Sequence, residues 1–384
     1  MLATKHYDII IIGAGCAGLS FVKALNQLSQ SYRILILEQA ESIQAIPPKT
    51  WSFWTQKPDQ FKNILWHEWD TWFLSTQSQK NILHSKHHRY QSIHSEYYLN
   101  DCIENFKNNK FITLLFNQPV IIVTYPSKKQ CHIQTPSNLW SCDWLIDTRP
   151  VTVKNDCELV QSFIGHYIKS ETPIFDDAQA GLMTQLSSNQ GIIKFIYFLP
   201  KNKYTALIES TCIHPPHLKP NLEQYIAEDI MHFCGNEPIN IIRSETGKLP
   251  MTAKHFKQPK HARHILAGQA AGALRPSSGY GFKRILHWAN HAAIHFHKTR
   301  TIPRPKYHIG LQHQLDRIFL NTLTKYPQYA PLLFMRLANR LNGDEFAQFM
   351  MDETTLSIWY KIIKALPTKI MLTGLTKHHD IFTH

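Results

Sequence analysis

The sequence predicts an α/β fold: a nucleotide-type parallel sheet, a second sheet region that adds α+β character, and a helical C-terminal region. Three observations predict it. YDIIII at 7–12 is a continuous apolar run, as in a strand buried on both faces of a parallel sheet, and GAGCAG follows it at once. Residues 158–215 are strand-rich and include the hairpin FIYFLPKNKYTALIEST at 195–211. After the proline-interrupted TIPRP at 301–305, Leu315, Ile318, Phe319 and Leu323 recur at helical spacing, as do Leu333, Phe334, Leu337 and Leu341.

The first element continues into a nucleotide-binding unit. Gly13, Gly15 and Gly18 form GxGxxG after the strand, and Leu19, Val22, Leu25 and Leu28 then keep helical spacing. The first glycine permits the tight turn, the second admits a pyrophosphate, and the third lets helix and strand pack closely. RILILEQ at 33–39 is the second buried strand, and Glu38 at its end stands where a ribose hydroxyl partner belongs. Residues 47–90 are rich in Trp and His; five of the 9 tryptophans lie between Trp51 and Trp72. A short helix is expected over 97–107, alternating strands over 111–146, and a helix over 221–234.

A second glycine segment, ILAGQAAGALRPSSGYGF, carries Gly268, Gly279 and Tyr280 between a strand and the helix that runs to residue 300. An early and a late glycine turn together favour a discontinuous Rossmann-like FAD-binding domain over a plain nicotinamide dehydrogenase. The expected division is 1–75, 95–157 and 245–300 for this domain. Residues 76–94 and 158–244 are expected to form a substrate-binding sheet domain, and 301–384 the helical region. Arg149 follows a strand end; it could meet the pyrophosphate or form a surface salt bridge.

Bulk properties narrow the function classes. A chain of 384 residues suggests two or three domains, and 43% hydrophobic residues exclude a disordered chain. The net charge of +13 favours anionic partners, either phosphorylated cofactors or an acidic membrane surface. The basic residues form no block, so no nucleic-acid arm is expected. The 7 cysteines lie apart with no CxxC pair, which points to a reduced cytoplasmic protein without a disulfide framework. His84, His87 and His88 lack the ordered spacing of a metal site, so no metal is expected. The apolar run after MLATKHYD is too short for a signal peptide, and no apolar stretch reaches the roughly 18 residues of a membrane span.

Several stretches, in order over nearly the whole chain, resemble one family: the flavin-dependent lycopene cyclases of the bacterial β-cyclase type. They are KTWSFW at 49–54, HRYQSIHSEYY at 88–98, IDTRP at 146–150, QSFIGHYI at 161–168, PIFD at 173–176, IEST at 208–211, ETGKLPMT at 245–252, GQAAGALRPSSGYGF at 268–282 and LDRIFL at 315–320. Four positions depart from the family pattern. Thr184 and Ser210 stand where aspartate is usual, and Ser277–Ser278 replace a threonine pair. These departures bear on substrate preference more than on the reaction.

The resemblance implies an acid-catalysed isomerisation with no net redox change. A terminal double bond of lycopene, or of a related acyclic carotene, is protonated; an internal double bond closes a β-ring, and a proton is lost. Strand alternation puts Thr205, Leu207, Glu209 and Thr211 on one face. From the residues alone Glu209 reads as a solvated strand-end carboxylate or a placed one; the resemblance implies the proton donor. It also implies reduced FAD beside the cation, with NAD(P)H as reductant. Trp51, Phe53, Trp54 and Tyr280 could offer ring faces to a carbocation or simply form core. Glu245 is a second acid or a structural partner. A lipid-dissolved substrate implies a peripheral protein on the inner membrane face, with Lys325, Arg336, Arg340, Lys361 and Lys364 on the amphipathic C-terminal helices. The competing readings are an FAD-dependent monooxygenase and an isoprenoid reductase of related fold.

Overall fold

A computed structural model of the chain describes residues 5–28, 31–150, 157–307 and 310–375. The helical expectation for 376–384 therefore lies outside the described residues.

The first sheet runs β8 (Ile112–Leu115), β2 (Ile34–Leu37), β1 (Lys5–Ile12), β11 (Leu139–Asp147), β10 (Gln130–Gln134), β9 (Ile122–Ser127), with β17 (His264–Leu266) also on β11. β1, β2, β8, β11 and β17 are parallel neighbours, as continuous apolar runs demand. Period-2 alternation splits β1 between two cores. Ile9 and Ile11 pack with helices α1 (Cys16–Asn26), α2 (Ser95–Phe106) and α4 (Phe282–Thr299), while Ile10 and Ile12 pack with Ile133 and Leu145 on the other face. Each fully buried isoleucine contributes about 1.5–3 kcal/mol of transfer free energy.

The second sheet runs β16 (Ile239–Met251), β12 (Leu159–Ser170), β15 (Thr205–His214), β14 (Ile192–Asn202), β13 (Ala180–Asn189), β5 (Thr71–Ser75), β6 (Lys80–His84). A third, small sheet of β3 (Thr50–Thr55), β7 (Arg89–His94) and β4 (Leu65–Trp69) lies between the two. Three segments differ from the sequence-based division: residues 89–94 join β3 and β4 in the third sheet, and two others join the second. Thr71–Ser75 and the stretch from Glu245 to Met251 run in the second sheet. β16 pairs with β12 along its whole length, and β5 pairs with β13 by backbone bonds that side-chain pattern does not announce.

One face of the second sheet carries α3 (Leu222–Cys234). The other carries the C-terminal helices α5 (Gly310–Lys325), α6 (Ala330–Arg340), α7 (Gly343–Met350), α8 (Leu356–Ala365) and α9 (Thr368–Thr373). Among the described residues no helix is long and apolar enough to cross a membrane.

Candidate active site

Glu209 on β15 faces Gly165 on β12, and Gly165 faces Glu245 on β16. The three positions form one row across the strands, so both carboxyls rise from the same side of the sheet. A Cβ at Gly165 would stand 3.2 Å from Glu209 Cβ and 3.3 Å from its Cγ. The missing side chain is the gap through which the two carboxyls approach each other. Both residues are buried, at 8% and 4% exposure. Thr211 Oγ1 donates to Glu209 Oε1 at 2.9 Å, and Thr50 Oγ1 donates to Glu245 Oε2 at 2.8 Å while accepting from the Tyr167 hydroxyl. Arg243 lies 3.7 Å from Glu245 and bonds Glu96 at 2.6 Å.

Burial first, then the charge of Glu245 and a hydrogen bond between the two, together push the Glu209 carboxyl up to about 8, against Thr211 and Lys49. Burial raises Glu245 as well, opposed by the Thr50 hydrogen bond and by Arg243 and Lys49. Two buried carboxyls on adjacent positions disfavour ionising together, so burial and mutual repulsion both favour the protonated form of Glu209.

Glu209 lines a cavity of about 590 Å³ that also reaches Gly15, Gly268 and Gly279. The glycine motif explains the cavity's far wall. Gly13 has φ +98°, and a Cβ there would lie 2.6 Å from Thr148 Oγ1; a Cβ on Gly18 would lie 2.6 Å from Gly13 O. A Cβ on Gly15 would meet nothing within 4 Å, so that glycine leaves open space where a ligand's backbone-facing group would sit. α1 and α4 both begin at this cavity without a side-chain cap, and their first residues line it. Their unbonded N–H groups attract anions. Lys49, Lys248, Arg275, Lys283 and Arg284 line the cavity against only Glu209 and Asp352. Two helix N-termini, a glycine cradle and a cationic wall fit a dinucleotide.

Trp51 and Phe53 line the cavity and pack on Phe282, with ring centres 5.2 and 4.8 Å apart. Trp54 lies against Tyr90 and Tyr280 at 4.5 and 5.4 Å. Five predicted residues are not among those lining the cavity: Gly13 and Gly18, which shape the turn behind Gly15, and Glu38, Arg149 and Glu245. Glu38 is buried beneath the glycine loop and accepts from Ala14 N at 2.6 Å and Ala40 N at 2.9 Å. Arg149 is held by Asp147, two residues away, at 2.6 Å. Glu245 stands behind Glu209 rather than at the surface of the cavity.

Sequence reasoning did not single out Lys49, Gln161, Tyr197 or Arg275, all of which line the cavity. Tyr197 had a usable signal: in the hairpin it is the cross-strand partner of Glu209. The family departures at Ser210 and Thr184 are turned away from this site. Ser210 Oγ donates to Asp229 on α3, and Thr184 Oγ1 donates to Ile196 O at 3.2 Å. Ser277 Oγ donates to Asp316 at 2.7 Å. Among the described residues no group of three His, Cys, Asp or Glu side chains could hold a metal ion.

The site thus joins a buried carboxyl of raised pKa to an aromatic-walled cavity and a glycine cradle that fits a dinucleotide. Comparisons with known proteins bear on the family and the fold. A family model described as lycopene cyclase protein matches residues 8–372. A lycopene beta-cyclase of Pantoea ananas is 23% identical over 404 aligned positions, covering 96% of this chain and 97% of that protein. In fold, the chain is similar to a geranylgeranyl bacteriochlorophyll reductase-like protein of Thermoplasma acidophilum, with TM-score 0.63 and 13% identity over 94% of this chain and 96% of that one. It is also similar to the flavin-dependent monooxygenase PieE, solved with FAD and substrate, with TM-score 0.62 and 12% identity over 96% of this chain and 72% of that one. With a match spanning nearly its whole length, the chain belongs to the lycopene cyclase family.

Proposed function

We propose that this protein is a lycopene β-cyclase that closes β-rings on the ends of lycopene or a related acyclic carotene, by proton transfer and without net oxidation. The observation that carries the reading is the Glu209–Glu245 pair. Glu209, whose carboxyl is raised by burial and by Glu245, lines the same cavity as the glycine cradle.

Glu209 gives its proton to the terminal double bond of the polyene. The electrons of an internal double bond then close a six-membered ring onto the cation, and a ring proton leaves, so the product is an isomer of the substrate. Glu245 is a positioning residue that holds the proton on Glu209 until substrate takes it. The ring faces of Trp51, Trp54 and Tyr280 favour positive charge nearby. FAD would lie on Gly13, Gly15, Gly18, Gly268 and Gly279 with its pyrophosphate at the N-terminus of α1. When bound in reduced form it supplies negative charge beside the cation, and NAD(P)H keeps it reduced.

The substrate is lipid-dissolved, and α8 supports a peripheral membrane contact. Leu356, Tyr360 and Ile363 share one helix face and are all more than half exposed, Leu356 at 83%. Lys364 lies on the same helix and Lys369 on the next, suited to acidic headgroups of the inner leaflet.

The test is expression in a lycopene-producing bacterium with analysis of the pigments. The cyclase reading predicts ringed carotenes of unchanged mass, and none from Glu209→Gln. Products heavier by oxygen or by hydrogen would replace it with a monooxygenase or a reductase.

A further inference from the structure

A second cavity, of about 270 Å³, lies between the second sheet and the C-terminal helices. Phe195 and Leu182 wall it on the sheet side, and Phe319, Leu337, Trp359 and Ile362 on the helix side. Trp54, Gln161, Tyr197, Ser278 and Tyr280 line both cavities, so the two share a wall. The charged residues in the second lining are Arg275 and Asp316, which neutralise each other through bonds of 3.0 Å from Nε and Nη2.

The far end is open. Ile363, Leu372 and Leu375 line the cavity and are also more than half exposed. This mouth is built into the fold. Asn321 Nδ2 donates to Gly374 O at 3.0 Å and Lys325 Nζ to Thr373 O at 2.7 Å. A Cβ on Gly374 would lie 2.3 Å from Ile318 O, so α9 lies directly on α5.

An apolar cavity whose lining charges cancel, which shares lining residues with the cavity of Glu209 and among the described residues is open at its far end, suits a long linear hydrocarbon. A compact apolar ligand has no use for the open end.

We propose that this second cavity is the tail channel for the linear polyene: one end lies by Glu209 while the rest runs past Trp54 and Tyr280 and out through the α8–α9 mouth. The proposal rests on the cyclase reading of Glu209, and the experiment separates the two.

The holoenzyme carrying Glu209→Gln is purified from lycopene-producing cells, and retained polyene is read from its visible absorbance relative to bound flavin. Adding Leu337→Trp fills the channel; adding Ile363→Asp puts a charge at its mouth without touching the core. Each is expected to lower retained polyene about ten-fold or more, with flavin occupancy unchanged. Retention equal to the Glu209→Gln parent in both variants overturns the channel. Flavin content reports folding, and the surface variant carries the test if the core variant does not fold. Undiminished ring formation by Glu209→Gln would sink the assignment of Glu209 as the acid while leaving the retention result to decide the channel.

Discussion

The two cavities share a wall and differ in how they treat charge. The larger one gathers three lysines, two arginines paired with Asp316 and Asp352, two uncapped helix N-termini and a glutamate whose carboxyl is pushed up to about 8; Arg275 stands in the wall between the two. The smaller one holds a single buried ion pair that cancels itself, among aromatic and aliphatic walls. Ionic chemistry is confined to one chamber, and chain binding is left to the other. A carbocation route needs this separation, because a stray base or water along the chain would quench the cation. Each prediction below breaks one side of the contrast.

The largest effect is expected on the acid itself. Glu209→Gln should lower ring formation about 10²–10⁴-fold, the range of a general acid, with flavin absorbance unchanged. Pigment analysis and the flavin spectrum of the same preparation check both halves.

Next comes the ion pair of the apolar chamber. Asp316→Ala leaves Arg275 charged and buried at 1% exposure, with the more distant Asp352 at 3.6 Å. Losing one partner of a buried pair costs about 3–5 kcal/mol, readable as a lowered urea midpoint. Replacing both, as Arg275→Met with Asp316→Leu, should recover most of that loss.

Gly15→Val tests the cradle of the charged chamber. Its backbone has φ −84° and its Cβ position is open, so the flavin-free protein should melt as before. The added side chain occupies ligand space, and FAD affinity should fall about ten-fold, measured by fluorescence titration.

A smaller effect concerns pH. Glu209 must be protonated to act, so activity is kept below its raised value and falls as pH rises through about 8. Glu245→Gln removes a repelling anion and lets Glu209 lose its proton more easily. The alkaline limb should therefore move to lower pH in a pH–rate profile. An unmoved limb would make Glu245 purely structural. Lys49, Arg243, Tyr167, Tyr90 and Tyr197 also face the pair and stay constant in this comparison.

Much of the fold was legible because its signals are local. YDIIII with GAGCAG sets a buried strand, a turn and a helix within one short stretch, and β1 and α1 follow it. The helical spacing after TIPRP likewise appears as α5 and α6. Glu209 could be picked out, but the reason for its proton could not. Gly165 and Glu245 become its neighbours only through the register of β12 between β15 and β16. Glu38 and Arg149 teach the converse. Sequence gives a charged side chain at a strand end; it does not say that Ala14 N or Asp147 occupies it. The apolar chamber was invisible because its wall comes from helices and strands far apart in the chain.

The most direct test of the central claim is cyclisation in heavy water. Holoenzyme with chemically reduced flavin converts lycopene anaerobically, and the ringed product is weighed by mass spectrometry. Protonation by the exchangeable carboxyl of Glu209 predicts one deuterium carried into the product per ring formed, in exchange for one proton lost, with no oxygen and no hydrogen pair gained. Rings without deuterium, or a product gaining oxygen or a hydrogen pair, would contradict the account.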